Sequence, residues 1–426
     1  MSTQRAHPRL EGGRKHAAGN AGLLLLGLGL YTVMMAYLLR IPCRVPDWQL
    51  AERIPELCTT VIGTGDMSVR SSDVAGGFFT GGPTGDQPVL VGMITTVIGW
   101  FASNLSAVLG IEVNQGLTMD LSLVLLALVW LGIVGVVAAL SGNRRSDALV
   151  MALAPVIVLV GFQTWDLWAV LFMMLALLGY VRGNPALAGI MVGFGASVAF
   201  FPVVVLLAIL IMAARHRFLK DILSALLCAL LTWAVVNGPY MLTAWDRWRA
   251  QLSEMLGAST EQSSLWNVWN STVEPRTGWS LAGGNADQYV LLTMVLALLL
   301  VLLVSLLCRR EPSVVQVMFL LMALYVLLAK EYSLNYVVWL VPLVILCRRN
   351  WIEFGLWQAV EVLYWAVVAL PAAAWPTLPW IEQFGWGPQD ILAVMRYLFL
   401  LYFVLAVIVD MFRGRKALAL GVSAMQ

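Results

Sequence analysis

The sequence predicts an all-α integral membrane protein, a polytopic bundle of about twelve transmembrane helices with a long first extracytoplasmic loop carrying a surface helix. Three observations carry the membrane bundle. Of 426 residues, 60% are hydrophobic and only 12% are charged, whereas a soluble domain is about one quarter charged. No soluble fold has enough interior to hide so much apolar surface. The apolar residues also fall into runs that can cross ~30 Å of hydrocarbon at 1.5 Å per residue. Finally, short basic clusters separate the runs, and Lys and Arg mark the cytoplasmic side of a membrane protein.

The first run, Ala21 to Leu39, follows Arg5, Arg9, Arg14 and Lys15. Residues 1–20 are therefore read as a cytoplasmic tail. No small-x-small cleavage site follows the run, which makes it an anchor. Arg144/Arg145, Arg182, Arg215/Arg217/Lys220, Arg309/Arg310, Arg348/Arg349 and Arg413/Arg415/Lys416 mark further cytoplasmic points. An even number of crossings must separate successive basic groups. Three apolar runs, 21–40, 89–109 and 119–140, precede Arg144, so one must stay on the outside. The run 89–109 contains Thr95, Thr96, Ser103, Asn104 and Ser106, and it is expected to lie on or dip into the outer surface. The first external loop then covers about 41–118.

Between Arg182 and Arg215 a single apolar run must return to its own side. Gly193, Gly195 and Pro202 offer the break, giving short spans at 186–199 and 201–214, each about 20 Å long. Broken helices of this kind survive in a membrane only where protein or a cavity satisfies the freed backbone groups. The other spans are expected near 148–162, 165–181, 221–237, 289–308, 313–330, 333–347, 351–371 and 391–412. A second external loop covers about 238–288, and 413–426 form a cytoplasmic tail. One domain, 21–412, thus sits in the plasma membrane with both termini cytoplasmic.

The formal charge is +2, and its placement in short runs between apolar stretches argues against a nucleic-acid surface. Five cysteines form no CxxC or Cys/His cluster, so no metal site is read. Cys43 and Cys58 fall in the first external loop, where disulfides persist. They are a disulfide candidate, worth about 3 kcal/mol in the chain-entropy model for a loop of about 15 residues. Cys228, Cys308 and Cys347 read as small apolar fillers.

A charge at mid-bilayer costs at least ~2.5–3.5 kcal/mol, so each one there needs a reason. Most non-cytoplasmic charge collects on the outer side. The first loop holds Asp66 and Asp86 among its acids and Arg70 among its bases. Asp166 falls where two spans meet, in Gln163-Thr164-Trp165-Asp166. The segment Lys330-Glu331-Tyr332-Ser333 falls at the next outer boundary, and the second loop adds Trp266 and Trp269. Each has a bland alternative. Asp66 reads equally as a solvated loop acid, Asp86 as a helix cap, and Asp166 as an N-cap. Lys330 reads as a snorkelling lysine and the tryptophans as an interface belt. Glu361, in the middle of a span, reads as a buried, protonated helix-pairing residue in preference to part of a polar pocket.

These segments resemble a known family. Pro42-Cys43, Leu57-Cys58, Gly65-Asp66-Met67, Asp86-Gln87-Pro88-Val89-Leu90-Val91-Gly92, Trp165-Asp166-Leu167, Phe200-Phe201-Pro202, Ser264-Leu265-Trp266, Lys330-Glu331-Tyr332-Ser333 and Trp357-Gln358-Ala359-Val360-Glu361-Val362 are similar to membrane glycosyltransferases of the GT-C superfamily. The closer resemblance is to actinobacterial glycosyltransferase family 87, the polyprenyl-phosphate-mannose-dependent mannosyltransferases. The resemblance implies transfer of a sugar, usually mannose, from a polyprenyl-phosphate donor to a cell-envelope lipid or glycan on the outer face. It implies a first-loop carboxylate, Asp66 or Asp86, as general base, and Lys330 or Arg70 facing the departing phosphate. Asp166, Tyr332 and Trp266 are the further substrate-binding candidates. No cofactor is expected, and a divalent cation stays open. The chain departs from the family pattern at Val61, at Asp86-Gln87 and at Phe200. Those departures leave a catalytically inactive scaffold as one alternative. A transporter or flippase of lipid-linked saccharide is the other, for which inverted repeats and midplane charges would be expected.

Overall fold

The computed structural model of the chain describes residues 9–44, 62, 87–110, 115–142, 144–216, 219–256, 264–272, 274–278, 286–308, 311–348, 350–370 and 387–414. Every regular element among them is helical. By length and composition, seven of these helices can cross a membrane. In chain order the helices are α1 (Arg9–Arg40), α2 (Val89–Leu109), α3 (Gln115–Ser141), α4 (Arg145–Ala152), α5 (Asp166–Val181), α6 (Pro185–Ala196), α7 (Val204–His216) and α8 (Leu219–Thr243). They continue as α9 (Trp245–Leu256), α10 (Leu265–Thr272), α11 (Ala286–Leu307), α12 (Val314–Leu328), α13 (Tyr336–Cys347), α14 (Trp351–Ala369) and α15 (Pro388–Phe412).

Local chemistry sets several of the boundaries. Asn184 caps α6 by accepting from Leu187 N at 2.9 Å, and Pro185 follows at the first helical position. Ser313 and Gln316 form a capping box at the start of α12. Asn350 caps α14. The break expected between Arg182 and Arg215 falls at residues 197–203, between α6 and α7. Gly189 and Gly193, one turn apart on α6, let that helix press against α8. A Cβ at Gly189 would overlap the Ala225 carbonyl oxygen, and one at Gly193 would stand 2.7 Å from that of Ala229. Small residues at this spacing are how helices approach closely in lipid, where apolar burial gives no advantage.

Two sequence expectations need correction. The span expected at 148–162 is not one continuous helix. Pro155 removes a backbone donor, α4 ends at Ala152, and a π-helical turn follows at Ile157–Gly161. The interrupted backbone is satisfied by protein. Gln358 of α14 accepts from Val156 N at 3.3 Å, and Arg40 of α1 donates to the carbonyls of Val158 and Leu159 at 3.1 and 3.0 Å. The second correction concerns the loop at 238–288. α8 runs on to Thr243, and α9 and α10 follow within the segment.

Contacts between remote segments define two ends of the bundle. At one end Arg144 pairs with Asp147, and Arg215 donates to the carbonyls of Ser305 and Cys308 at 2.6 and 2.8 Å. There too Arg348 bridges Glu353 and Asp410 at 2.7 Å each. At the other end Arg44 bridges Asp120 at 2.7 Å, Trp339 joins the turns at 162–166 and 197–203, and the segment 328–335 meets α10 and the start of α11. α2 starts against this second end, where Leu90 N donates to Ser197 O at 3.1 Å. Its last residue, Leu109, lies six residues before Gln115, a link that reaches about 21 Å at most. By length and composition α2 is itself one of the seven helices that can cross a membrane.

Candidate functional site

The site grows from three turns at the basic-poor end. Residues 329–335 reverse the chain between α12 and α13. Those helices have 15 and 12 residues, or about 22 and 18 Å, less than the ~30 Å hydrocarbon thickness. α6 is equally short, with 12 residues, and its turn at 197–203 comes to the same place. The third turn delivers Asp166, the first residue of α5.

Trp339, in the first turn of α13, joins the three. Its indole N–H donates to Asp166 Oδ2 at 3.1 Å. Its ring stacks on Phe201 from the second turn, with centroids 4.2 Å apart, and on Tyr336 at 4.1 Å. The Tyr336 hydroxyl donates to Glu331, and Glu331 lies close enough to Asp166 for the two carboxylates to repel. Beside them the Trp165 indole N–H and Asn335 Oδ1 are buried without a hydrogen-bond partner among the described residues.

The same turn presents Lys330, which pairs with Asp287 at the start of α11; the carboxylate is 73% exposed and the lysine 16%. α10 closes this flank. The Trp266 indole N–H donates to the Leu328 carbonyl at 2.9 Å, and Leu265 N donates to the Tyr397 hydroxyl of α15 at 2.8 Å. Both bonds tie the helix to the bundle.

Beneath the turn lies a buried ion pair. Arg396 Nε of α15 donates to Glu361 Oε2 of α14 at 2.7 Å, both side chains having 0% exposure. The guanidinium sits between the rings of Tyr332 and Tyr364, 3.9 and 4.1 Å from their centroids. Its Nη1 donates to the Tyr332 carbonyl at 3.0 Å. Glu361 Oε1 accepts from Trp357 Nε1 at 3.1 Å and from the Tyr332 hydroxyl at 3.3 Å. Burial, then the neighbouring Glu361 carboxylate, holds the Tyr332 phenol well above its ordinary pKa.

The structure thus brings Asp166, Lys330, Tyr332 and Trp266 to one end of the bundle and gives them different roles. Asp166 and Lys330 belong to the polar cluster. Tyr332 is fully buried, turned from the site toward the ion pair. Trp266 is also buried, so its ring is a wedge in the packing instead of an open platform for a sugar. Glu361, expected as a buried, protonated helix-pairing residue, is buried and does join two helices, but through an ion pair with Arg396 of α15. Asp66, Arg70, Asp86 and Cys58 lie outside the described residues. The chain just after Asp86 is held at the α6–α7 break through Leu90 and Ser197. Cys43 is disulfide-bonded, and Cys228, Cys308 and Cys347 are free. Sequence reasoning missed Arg396, Trp339 and Glu331. For Arg396 a signal existed, a single cation about two turns inside an apolar helix.

Among the described residues no group of three or more His, Cys, Asp or Glu side chains could hold a metal ion. The two carboxylates Asp166 and Glu331 are suited to accept from hydroxyl groups, and Lys330 is suited to an anion. Comparison with known families finds a match to the one described as glycosyltransferase family 87, over residues 91–330. That is more than half of the chain. The matched segment includes Asp166 and Trp266, ends on Lys330, and begins after Asp66 and Asp86. No curated protein matches the chain.

Proposed function

The chain belongs to glycosyltransferase family 87, and from that premise we propose that it transfers mannose from a polyprenyl-phosphate donor to a cell-envelope lipid or glycan on the extracytoplasmic face of the plasma membrane. The observation that carries this reading is the polar cluster at the basic-poor end, to which one turn brings Asp166 and another brings Glu331 and Lys330. On this reading α4 with its π-helical turn is one crossing and α2 none, which makes twelve passes of the chain, with the basic groups on the cytoplasmic side; seven helices, α2 among them, are each long and apolar enough to cross alone.

A sugar hydroxyl is a weak nucleophile. In the proposed reaction its oxygen bonds to the anomeric carbon while the bond from that carbon to the phosphate oxygen breaks. Asp66 or Asp86, from the first loop, takes the hydroxyl proton, a role that contributes ~10²–10⁴-fold. Lys330, with Arg70, receives the charge that develops on the departing polyprenyl phosphate. In the absence of donor the exposed Asp287 stands where the phosphate would, a counter-ion that an anionic ligand can replace. Asp166 and Glu331 accept from the sugar hydroxyls.

The test is transfer of radiolabelled mannose from polyprenyl-phosphate mannose by membranes of a deletion strain, complemented with the wild-type chain, Asp66→Ala, Asp86→Ala or Lys330→Ala, with envelope glycolipids profiled in parallel. Loss of transfer in one aspartate variant identifies the base. Full transfer in both sinks the base assignment. A deletion that leaves every envelope glycan unchanged moves the reading to an inactive scaffold. The ion pair inside the bundle favours a second reading, transport of a lipid-linked saccharide. Transfer by detergent-solubilised protein, with no membrane to cross, separates the two.

A further inference from the structure

We infer that the Glu361–Arg396 pair is a positioning device for the transfer, gripping the turn at 329–335 through Tyr332 and thereby fixing where Lys330 stands. The inference rests on the reading of Lys330 as the phosphate ligand.

A pair whose task was to join two helices would need only its own salt link. This one directs three interactions at a single residue of the turn. Arg396 Nη1 holds the Tyr332 carbonyl at 3.0 Å, the guanidinium lies 3.9 Å from the Tyr332 ring centroid, and Glu361 accepts the Tyr332 hydroxyl at 3.3 Å. Backbone, ring and hydroxyl of one residue are thus fixed at once. Lys330 is two residues away and Glu331 is adjacent, so both inherit that position. Elsewhere the segment is tied through the Leu328 carbonyl to Trp266 and through Glu331 to the Tyr336 hydroxyl, while Lys330 itself pairs with an exposed carboxylate. Ionisable groups inside a membrane are rare and usually functional. Here the function is assigned to the geometry of the turn, because the pair is sealed from substrate at 0% exposure.

Arg396→Lys keeps the charge and loses the planar fork that reaches both Glu361 and the Tyr332 carbonyl. Tyr332→Phe is the milder second variant, keeping the ring over the guanidinium and losing only the hydroxyl. Two quantities are measured on the full chain in detergent: hydrogen exchange of peptides covering 329–335, and kcat and KM with polyprenyl-phosphate mannose. In Arg396→Lys the turn should exchange faster and kcat should fall about 10- to 100-fold, the scale of a displacement near 1 Å, with KM for the donor changing far less. Tyr332→Phe should move both in the same direction by less. Lys330→Ala should lower kcat with no change in exchange, and adding Arg396→Lys to it should cost little more, because the second change acts through the first. Unchanged exchange in Arg396→Lys overturns the inference, as does faster exchange at full turnover or a double variant whose losses multiply. If Lys330→Ala retains wild-type turnover, the phosphate role fails instead, and exchange of the turn still decides whether Arg396 holds it.

Discussion

Removing half of the buried pair should cost far more than removing all of it. Glu361→Gln keeps an acceptor for Trp357 and for the Tyr332 hydroxyl, but it replaces the charged Oε2 that faces Arg396 Nε at 2.7 Å. In one orientation the new amide turns a donor toward a donor. Breaking a buried ion pair at one end typically costs about 3–5 kcal/mol. Two features adjust that range here. Arg396 Nη2 already lacks a partner among the described residues, so none of them offers the guanidinium a reserve acceptor. Against this, the rings of Tyr332 and Tyr364 remain at 3.9 and 4.1 Å, and a desolvated cation–π contact is worth up to about 2 kcal/mol. A loss of ~3 kcal/mol follows. Glu361→Gln combined with Arg396→Met removes the stranded charge and should recover most of it, since apolar replacement of a whole buried pair is often neutral or better. Reversible denaturant unfolding in mild detergent, followed by tryptophan fluorescence, reads both. A Glu361→Gln cost below ~0.5 kcal/mol would refute the reasoning, and so would a double variant that loses the sum of the two single losses.

Three further outcomes are expected. Gly189→Val should separate α6 from α8 and destabilise by about 1–3 kcal/mol, the usual cost of overpacking; Gly135→Ala, where an added Cβ meets nothing within 4 Å, should be neutral or slightly stabilising, and equal losses in the two would deny the close contact. Arg348→Ala should cost about 1 kcal/mol, less at high salt, because Glu353 and Asp410 hold that guanidinium charged at a partly exposed end; a salt-independent loss in thermal unfolding would contradict this. In cysteine labelling of intact cells, Glu274→Cys should react with an impermeant reagent from outside, and Asn184→Cys only once the cytoplasm is opened. Labelling of both from one side would break the two-ended arrangement.

The sequence carried the membrane character, the α6–α7 break and the gathering of Asp166 and Lys330 at one end of the bundle. Length, Gly and Pro placement, and basic flanks are local signals, and each acts where it is written. The break at Pro155 was equally local and was passed over because the run from 148 to 162 had the length of a span. What could not be read was pairing. Glu361 is visible as a mid-span acid, but its partner is 35 residues away on another helix. Nothing in either helix sets the rotation that brings them face to face. Tyr332 shows the same limit. Its neighbour Lys330 turns to the cluster while Tyr332 turns inward, and in a turn without helical or strand periodicity no pattern of spacing decides between them.

The polar cluster is carried by short helices: α6, α12 and α13 have 12, 15 and 12 residues, against 27 in α3. Its lysine is only 16% exposed, so little bulk water solvates the charges there. Lys330 then needs Asp287, Asp166 needs Trp339, and the turn that holds them needs an anchor built from the protein itself. Arg396 and Glu361 supply that anchor at the one depth where an ion pair is costly enough to require a purpose.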